Sequence, residues 1–158
     1  MKKALVAYFS ATETTRGLAE RLAKSIDADL FEIVPKQKYS DADLDWTKKT
    51  SRSSIEMNDS KCRPEIAKKI DDPSQYDVIF VGFPIWWYRE PSIIDTFVES
   101  YDFHNVTIVP FATSGGSGIG DADKNIRKLA PAAEVASGKV FSTAESEPGL
   151  KKWATKWL

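Results

Sequence analysis

The run Ser10-Ala11-Thr12-Glu13-Thr14-Thr15 places four hydroxyl side chains within six residues of a 158-residue chain, directly ahead of an amphipathic segment. The first amides of a helix lack intrahelical acceptors, and with hydroxyls around them they form a seat for an anion, above all a phosphate. No Lys or Arg falls between Lys3 and Arg16, so this seat would hold a phosphomonoester by neutral donors and the helix dipole. A plain helix N-cap would need only one of these hydroxyls. A second run, Pro84-Ile85-Trp86-Trp87-Tyr88-Arg89-Glu90-Pro91, sets three aromatics side by side in a loop. One of them packing inward is ordinary, but all three doing so is geometrically difficult, which leaves a surface for a flat partner. The third run is Thr113-Ser114-Gly115-Gly116-Ser117-Gly118. Its glycines let the backbone approach closely and turn free N–H groups toward a polar ring edge, although a flexible turn and helix cap would use the same residues.

These three runs gain meaning from the elements before them. Ala4–Phe9 is short and continuously apolar, as a strand buried on both faces must be. Leu18, Leu22 and Ile26 recur every fourth residue between charges, which predicts a helix over about 14–26. Strands follow at Leu30–Val34, Tyr76–Phe83 and Val106–Ala112, with a weak fifth near Lys139–Phe141. Helices alternate with them: one opened by Pro91 with Ile94, Phe97, Val98 and Tyr101 on one side, and one carrying Ile119, Ala122, Ile126 and Leu129 and stopped before Pro131. A closing helix holds Leu150, Trp153 and Trp157. The pattern is a single α/β domain over 1–158, a doubly wound five-stranded parallel sheet. The stretch 35–75 is too long for a bare connection and is expected to hold short helices around Asp43–Lys49 and Pro64–Ile70.

In such a sheet ligands bind beyond the carboxyl ends of the strands, where strand order reverses, and the three runs follow strands one, three and four. A phosphate seat, an aromatic platform and a glycine-rich amide loop on one sheet edge together describe a phosphorylated planar cofactor, FMN. On these residues the chain resembles the flavodoxin family. Ser10–Thr15 matches its phosphate loop, while Gly82-Phe83-Pro84-Ile85-Trp86-Trp87 and Thr113–Gly118 look like the flavin-side loops of its bacterial flavodoxin-like branch. The resemblance covers essentially the whole chain and implies a flavodoxin-like fold of strand order 2-1-3-4-5. It implies the 5′-phosphate on Ser10, Ala11, Thr12, Glu13, Thr14 and Thr15. The isoalloxazine would lie between Pro84, Ile85, Trp86, Trp87 and Tyr88 on one side and Thr113, Ser114, Gly115, Gly116, Ser117 and Gly118 on the other, with Trp86 or Trp87 against the ring. The chain departs from the family at Glu13, where glycine is usual, and in having no glycine over 84–91. The peptide beside the flavin that the resemblance implies can flip would here be made by residues bearing a Cβ, at about 1–2 kcal/mol for each left-handed residue. Asp43-Leu44-Asp45-Trp46 and Ser51-Arg52-Ser53-Ser54 also resemble that branch and would cover the ring. Helix packing for Trp46 and a surface role for Arg52 are the alternatives.

Related topologies are excluded by residue type. A receiver domain needs carboxylates after strands one and three, where this chain has Ser10 and Gly82-Phe83-Pro84. A low-molecular-weight phosphatase needs a first-loop cysteine with an arginine six residues on, but the one cysteine is Cys62 and Lys68 follows it. There is no Walker A run. The single histidine, His104, sits in the polar turn Asp102–Asn105 and is assigned no catalysis. A net charge of −1 with mixed signs throughout gives no footprint for nucleic acid, and no apolar run approaches the roughly eighteen residues of a membrane span. One cysteine forms no internal disulfide and fits a reducing compartment, so a cytoplasmic location is expected. Two functions fit FMN: a carrier serving a redox partner protein, and an oxidoreductase moving a hydride between a nicotinamide and a small acceptor such as a quinone. A flavin-free binding module on the same fold is a third.

Overall fold

The computed structural model describes residues 2–114 and 116–158. Its sheet is built from β1 (Ala4–Tyr8), β2 (Asp29–Glu32), β3 (Val78–Pro84), β4 (Thr107–Thr113), β5 (Glu134–Val135) and β6 (Lys139–Val140), all paired in parallel. The order is β2-β1-β3-β4-β5, with β6 also on β4, the doubly wound arrangement that the alternation of elements predicts. Successive residues of β1 feed opposite sides of the sheet. Leu5, Ala7 and Phe9 join Ile79, Val81 and Phe83 beneath α3 (Ser92–Glu99) and α4 (Ala122–Leu129). Val6 and Tyr8 join Phe80 and Phe111 beneath α1 (Thr14–Ile26) and α5 (Glu147–Ala154). Both faces are therefore apolar, which is why β1 and β3 read as unbroken hydrophobic runs.

The fifth strand is not one strand. β5 pairs with Thr107 and Ile108, and β6 pairs with Phe111 and Ala112, so the partner strand carries one extra residue between the two contacts. The cause is Pro110. The carbonyls of Ile108 and Ala112 accept from Ala136 and Phe141, so Pro110, two residues from each, turns its nitrogen to the same side and has no proton to give. The sheet thus has six strands where the sequence pattern predicts five.

The stretch between β2 and β3 also differs from expectation. Neither Asp43–Lys49 nor Pro64–Ile70 is helical: the first is a series of turns, and the second runs beside Pro35 through an antiparallel bridge at Ile66. The one α-helix of this stretch is α2 (Arg52–Met57), begun by Ser51, whose hydroxyl accepts the Ser54 amide at 3.3 Å. Among the described residues no helix is long and apolar enough to cross a membrane.

Tight packing at the carboxyl edge fixes the loops that leave it. Gly82 lies between Tyr8 and Phe111 in the ladder, and a Cβ there would stand 2.2 Å from the Phe111 ring. Gly82→Ala is expected to lower stability by about 1–3 kcal/mol, the cost of overpacking a filled core. Urea unfolding measures this, and an unchanged midpoint would show that Phe111 can move aside.

Candidate functional site

The loop after β1 turns at once into α1. Gly17 N closes the first helical turn on the Glu13 carbonyl, which leaves the Thr14 and Thr15 amides without intrahelical acceptors. Ser10 shapes the loop from within: its hydroxyl donates to the Thr12 carbonyl at 2.5 Å and accepts the Arg16 amide at 3.2 Å. The Thr15 hydroxyl is buried against that of Thr113 at 2.9 Å, a strut between α1 and β4. Thr12 and Thr14, joined at 3.3 Å, keep hydroxyls at the surface. Arg16 turns away to Glu13 and Glu32, each at 2.9 Å, so no cation enters the seat.

After β3, Trp86 and Arg89 exchange two backbone hydrogen bonds, of 3.0 and 3.2 Å, around a two-residue turn. Its central residues, Trp87 at φ 48° and Tyr88 at φ 64°, are both left-handed. This is the type I′ geometry that usually recruits Asn-Gly. Two residues bearing a Cβ hold it at about 1–2 kcal/mol each. The cost anticipated for a flip in a loop without glycine is thus already present in the described conformation. The turn is clamped from the third loop: the Tyr88 carbonyl accepts the Asp121 amide at 3.0 Å, and a Cβ on Gly120 would lie 2.0 Å from that oxygen.

The two tryptophans divide their tasks. Trp86 packs edge-on against Phe9 and Tyr39, with both centroids at 5.6 Å, while Trp87 is 39% exposed and Tyr88 72%. Tyr39 is itself fixed from α2. Its hydroxyl donates to Glu56, and the Arg52 guanidinium lies 3.8 Å over its ring while pairing with Glu56 at 2.9 Å. Burial, followed by the Glu56 contact, pushes the Tyr39 hydroxyl well above the ordinary tyrosine range. Arg52 is therefore an internal brace and not a surface charge.

In the loop after β4 the Ser114 hydroxyl accepts the Gly116 and Ser117 amides at 3.2 and 2.9 Å and pairs with the Ser117 hydroxyl. A Cβ on Gly116 or Gly118 would meet open space, and of the two only Gly116, at φ 144°, needs glycine for its backbone. Gly115 lies outside the described residues.

These loops enclose one cleft with two ends. The hydroxyl end, about 390 Å³, is lined by Ala11, Thr12, Thr14, Thr15, Pro84 and Thr113. The aromatic end, about 560 Å³, is lined by Trp87, Tyr88, Gly116 and Ser117 together with Trp46 and Ser53. Leu44, Ile85, Trp86 and Ser114 belong to both ends. Ser10, Glu13 and Gly118 line neither. Trp46 is 75% exposed and in no helix, which removes helix packing as its role and makes it a wall of the cleft. Leu44 and Thr143 complete the enclosure, and Thr143, far along the chain, carries no sequence pattern that marks it. Among the described residues no group of side chains is arranged to hold a metal ion. Burial, then Glu56 and Asp59, raises the Cys62 thiol, so it is no activated nucleophile.

A family profile described as flavodoxin matches residues 3–157. The chain belongs to the flavodoxin family. Two crystal structures resemble this flavodoxin over nearly their whole length. A candidate flavoprotein from Bacteroides eggerthii DSM 20697 is 45% identical, with a TM-score of 0.93 over 99% of this chain and 98% of that one. Another from Bacteroides uniformis ATCC 8492 is 46% identical, with a TM-score of 0.92 over 98% of both. A flavoprotein of Lactobacillus acidophilus NCFM, solved in complex with FMN, shares the fold at 23% identity and TM-score 0.76 over 99% of each chain. No curated protein matches the chain.

The left-handed turn of this flavodoxin offers a direct test. Tyr88 is largely exposed, so Tyr88→Gly gives up little packing and relieves one left-handed Cβ. The variant should gain about 0.5–1 kcal/mol once the entropy cost of glycine is deducted. Thermal unfolding of the ligand-free protein checks this, and a destabilised variant would mean that the Tyr88 ring is held by contacts that outweigh the strain.

Proposed function

We propose that the cleft binds FMN, with the phosphate at the Thr12–Thr14 end and the ring at the aromatic end, and that the protein serves as an FMN-dependent electron-transfer protein. One observation carries the reading: a single cleft joins a cation-free seat of hydroxyls and helix amides to an aromatic wall. The chemistry of the donors fits this cofactor. Neutral donors and a helix N-terminus suit a phosphate monoester, and the open space at Gly116 and Gly118 admits a ring edge to the backbone. The FMN complex of the Lactobacillus acidophilus relative supports the choice of cofactor. When bound, FMN supplies the electron-accepting and electron-donating ring.

The chain's own residues bind, orient and shield. Thr12 and Thr14 donate to the phosphate, the braced Trp86 sets the floor of the ring end, and Trp87 and Trp46 exclude water from its sides. Trp46, Trp87 and Tyr88 stand exposed at the mouth, so a redox partner protein or a nicotinamide or quinone meets apolar surface there. With a net charge of −1, the approach of a partner gains little from long-range steering.

Loss of two charge-assisted hydrogen bonds, each worth about 1.5–3 kcal/mol, should weaken FMN binding at least tenfold in the Thr12→Ala/Thr14→Ala double variant. Fluorescence titration of FMN reads the change, and unchanged affinity would remove the phosphate assignment. Carrier and enzyme separate on mixing the FMN-loaded protein with NADH or NADPH. A carrier stays yellow until a reductase is added, whereas rapid bleaching by the nicotinamide alone would replace the carrier reading with the oxidoreductase one.

A further inference from the structure

The Trp86–Arg89 turn contains the only consecutive left-handed residues other than glycine among those described, so something must hold it. The residues that follow it supply the anchor. Arg89 donates to the Met57 carbonyl at 3.2 Å and to Asp95 Oδ2 at 3.4 Å, joining the turn to the end of α2 and to α3. Glu90 is fully buried, and its Oε1 accepts from Asn125 Nδ2 of α4 at 2.9 Å. Its Oε2 is enclosed without a donor, and so is Oδ1 of Asp95, itself only 4% exposed. The two carboxyls close on one guanidinium: Arg89 Nη1 stands 3.9 Å from Glu90 Oε1 and 3.4 Å from Asp95 Oδ2. Ionised carboxylates only accept, so two of them here would strand two buried oxygens and repel. A single proton on the pair supplies the missing donor.

We infer that Glu90 and Asp95 share one proton, and that this proton locks the strained turn and so positions the aromatic wall of the cleft. The consequence for flavin binding rests on the FMN reading above; the lock itself does not. Burial, with the Asp95 charge adding to it, lifts the Glu90 carboxyl to about 8. Burial also raises Asp95, while the shared Glu90 proton and the charges of Arg89 and Arg63 hold it down. The other groups facing the pair are Glu99 of α3, which engages Arg63, and Asn125 and Lys128 of α4. The two guanidiniums near the pair, Arg63 and Arg89, are divided among three carboxyls, Glu90, Asp95 and Glu99, and Lys128 is exposed and forms no ion pair with either member.

The sign of the effect follows from linkage. Closed, Glu90 keeps its proton up to about pH 8; opened to water, it titrates near its ordinary value of 4.5. The closed state thus binds the extra proton between those limits, and the turn opens more readily as pH rises through them, by up to tenfold per unit, then levels off above about 8. Glu90→Gln, with no proton to lose, should abolish this slope.

Amide hydrogen exchange of the FMN-free protein, corrected for intrinsic rates, tests the lock. The reporters are the Arg89 and Asp121 amides, which bond to the Trp86 and Tyr88 carbonyls. Their protection should fall at least tenfold from pH 5.5 to 7.5 in the native chain and stay level in Glu90→Gln. Equal slopes in both proteins would overturn the inference. So would exchange of these amides at the rate of the Val81 amide, because the proton would then act on global unfolding alone. Should Glu90→Gln fail to fold, the carboxyl carbon-13 titration of the native chain decides: one step near pH 8 supports the shared proton, and two steps below pH 6 exclude it. Saturating FMN should restore protection of the two amides at pH 7.5. If the native slope holds and FMN adds nothing, the lock stands and the cofactor reading falls.

Discussion

Covering both faces of a parallel sheet with helices removes those faces from solvent, so polar chemistry can occur only where the strands end. In this chain that constraint decides nearly everything else. The unbroken apolar runs of β1 and β3 commit Ala4–Tyr8 and Val78–Val81, residue by residue, to one of two cores. Register then brings the Tyr8, Pro84 and Thr113 ends to a common edge. The loops that leave this edge are short and hydrogen-bonded to one another: Phe9 to Gly82, Ile85 to Thr113 and Asp121 to Tyr88. The cleft is thus set by where the strands end, and its walls rest on the ladder beneath them.

Charge is handled unevenly around that edge. At the hydroxyl end the nearest arginine is occupied by two glutamates, which leaves neutral donors facing the cleft. Behind the aromatic end, carboxyls and guanidiniums are buried together between the turn, α3 and α4. Polar groups that meet a ligand stay uncharged, while charged groups brace backbone that would otherwise relax. A glycine at position 87 or 88 would make the brace less necessary, and its absence is what ties the turn to Arg89 and Glu90.

The strands, their order and the three loops were legible because hydrophobic period and hydroxyl, aromatic or glycine runs are local signals. What escaped was set at long range. Pro110 is plain in the sequence, but that it would divide the last strand depends on which side its nitrogen faces. Trp46 could not be told from a helix residue until the turns of 41–50 showed that no helix forms there. Arg52 resembled any surface charge because Tyr39 and Glu56, its partners, are brought to it by folding. Glu90, ahead of a proline, has the local character of a solvated loop residue, and only Asn125 from α4 shows that it is interior. Thr143 reaches the cleft from beyond the last strand.

The division of the last strand at Pro110 also bears on how molecules of this protein meet one another. A sheet edge with a long row of free amides and carbonyls is a template for a neighbour's strand, and for aggregation. Here β5 and β6 offer two residues each, out of step by one, and neither presents a run to copy. The opposite border, β2, is four residues long and bounded by Asp29 and Glu32, whose like charges would face their counterparts in a second copy. A proline in an inner strand thus helps to keep crowded chains from zipping together, without any part in the chemistry of the cleft.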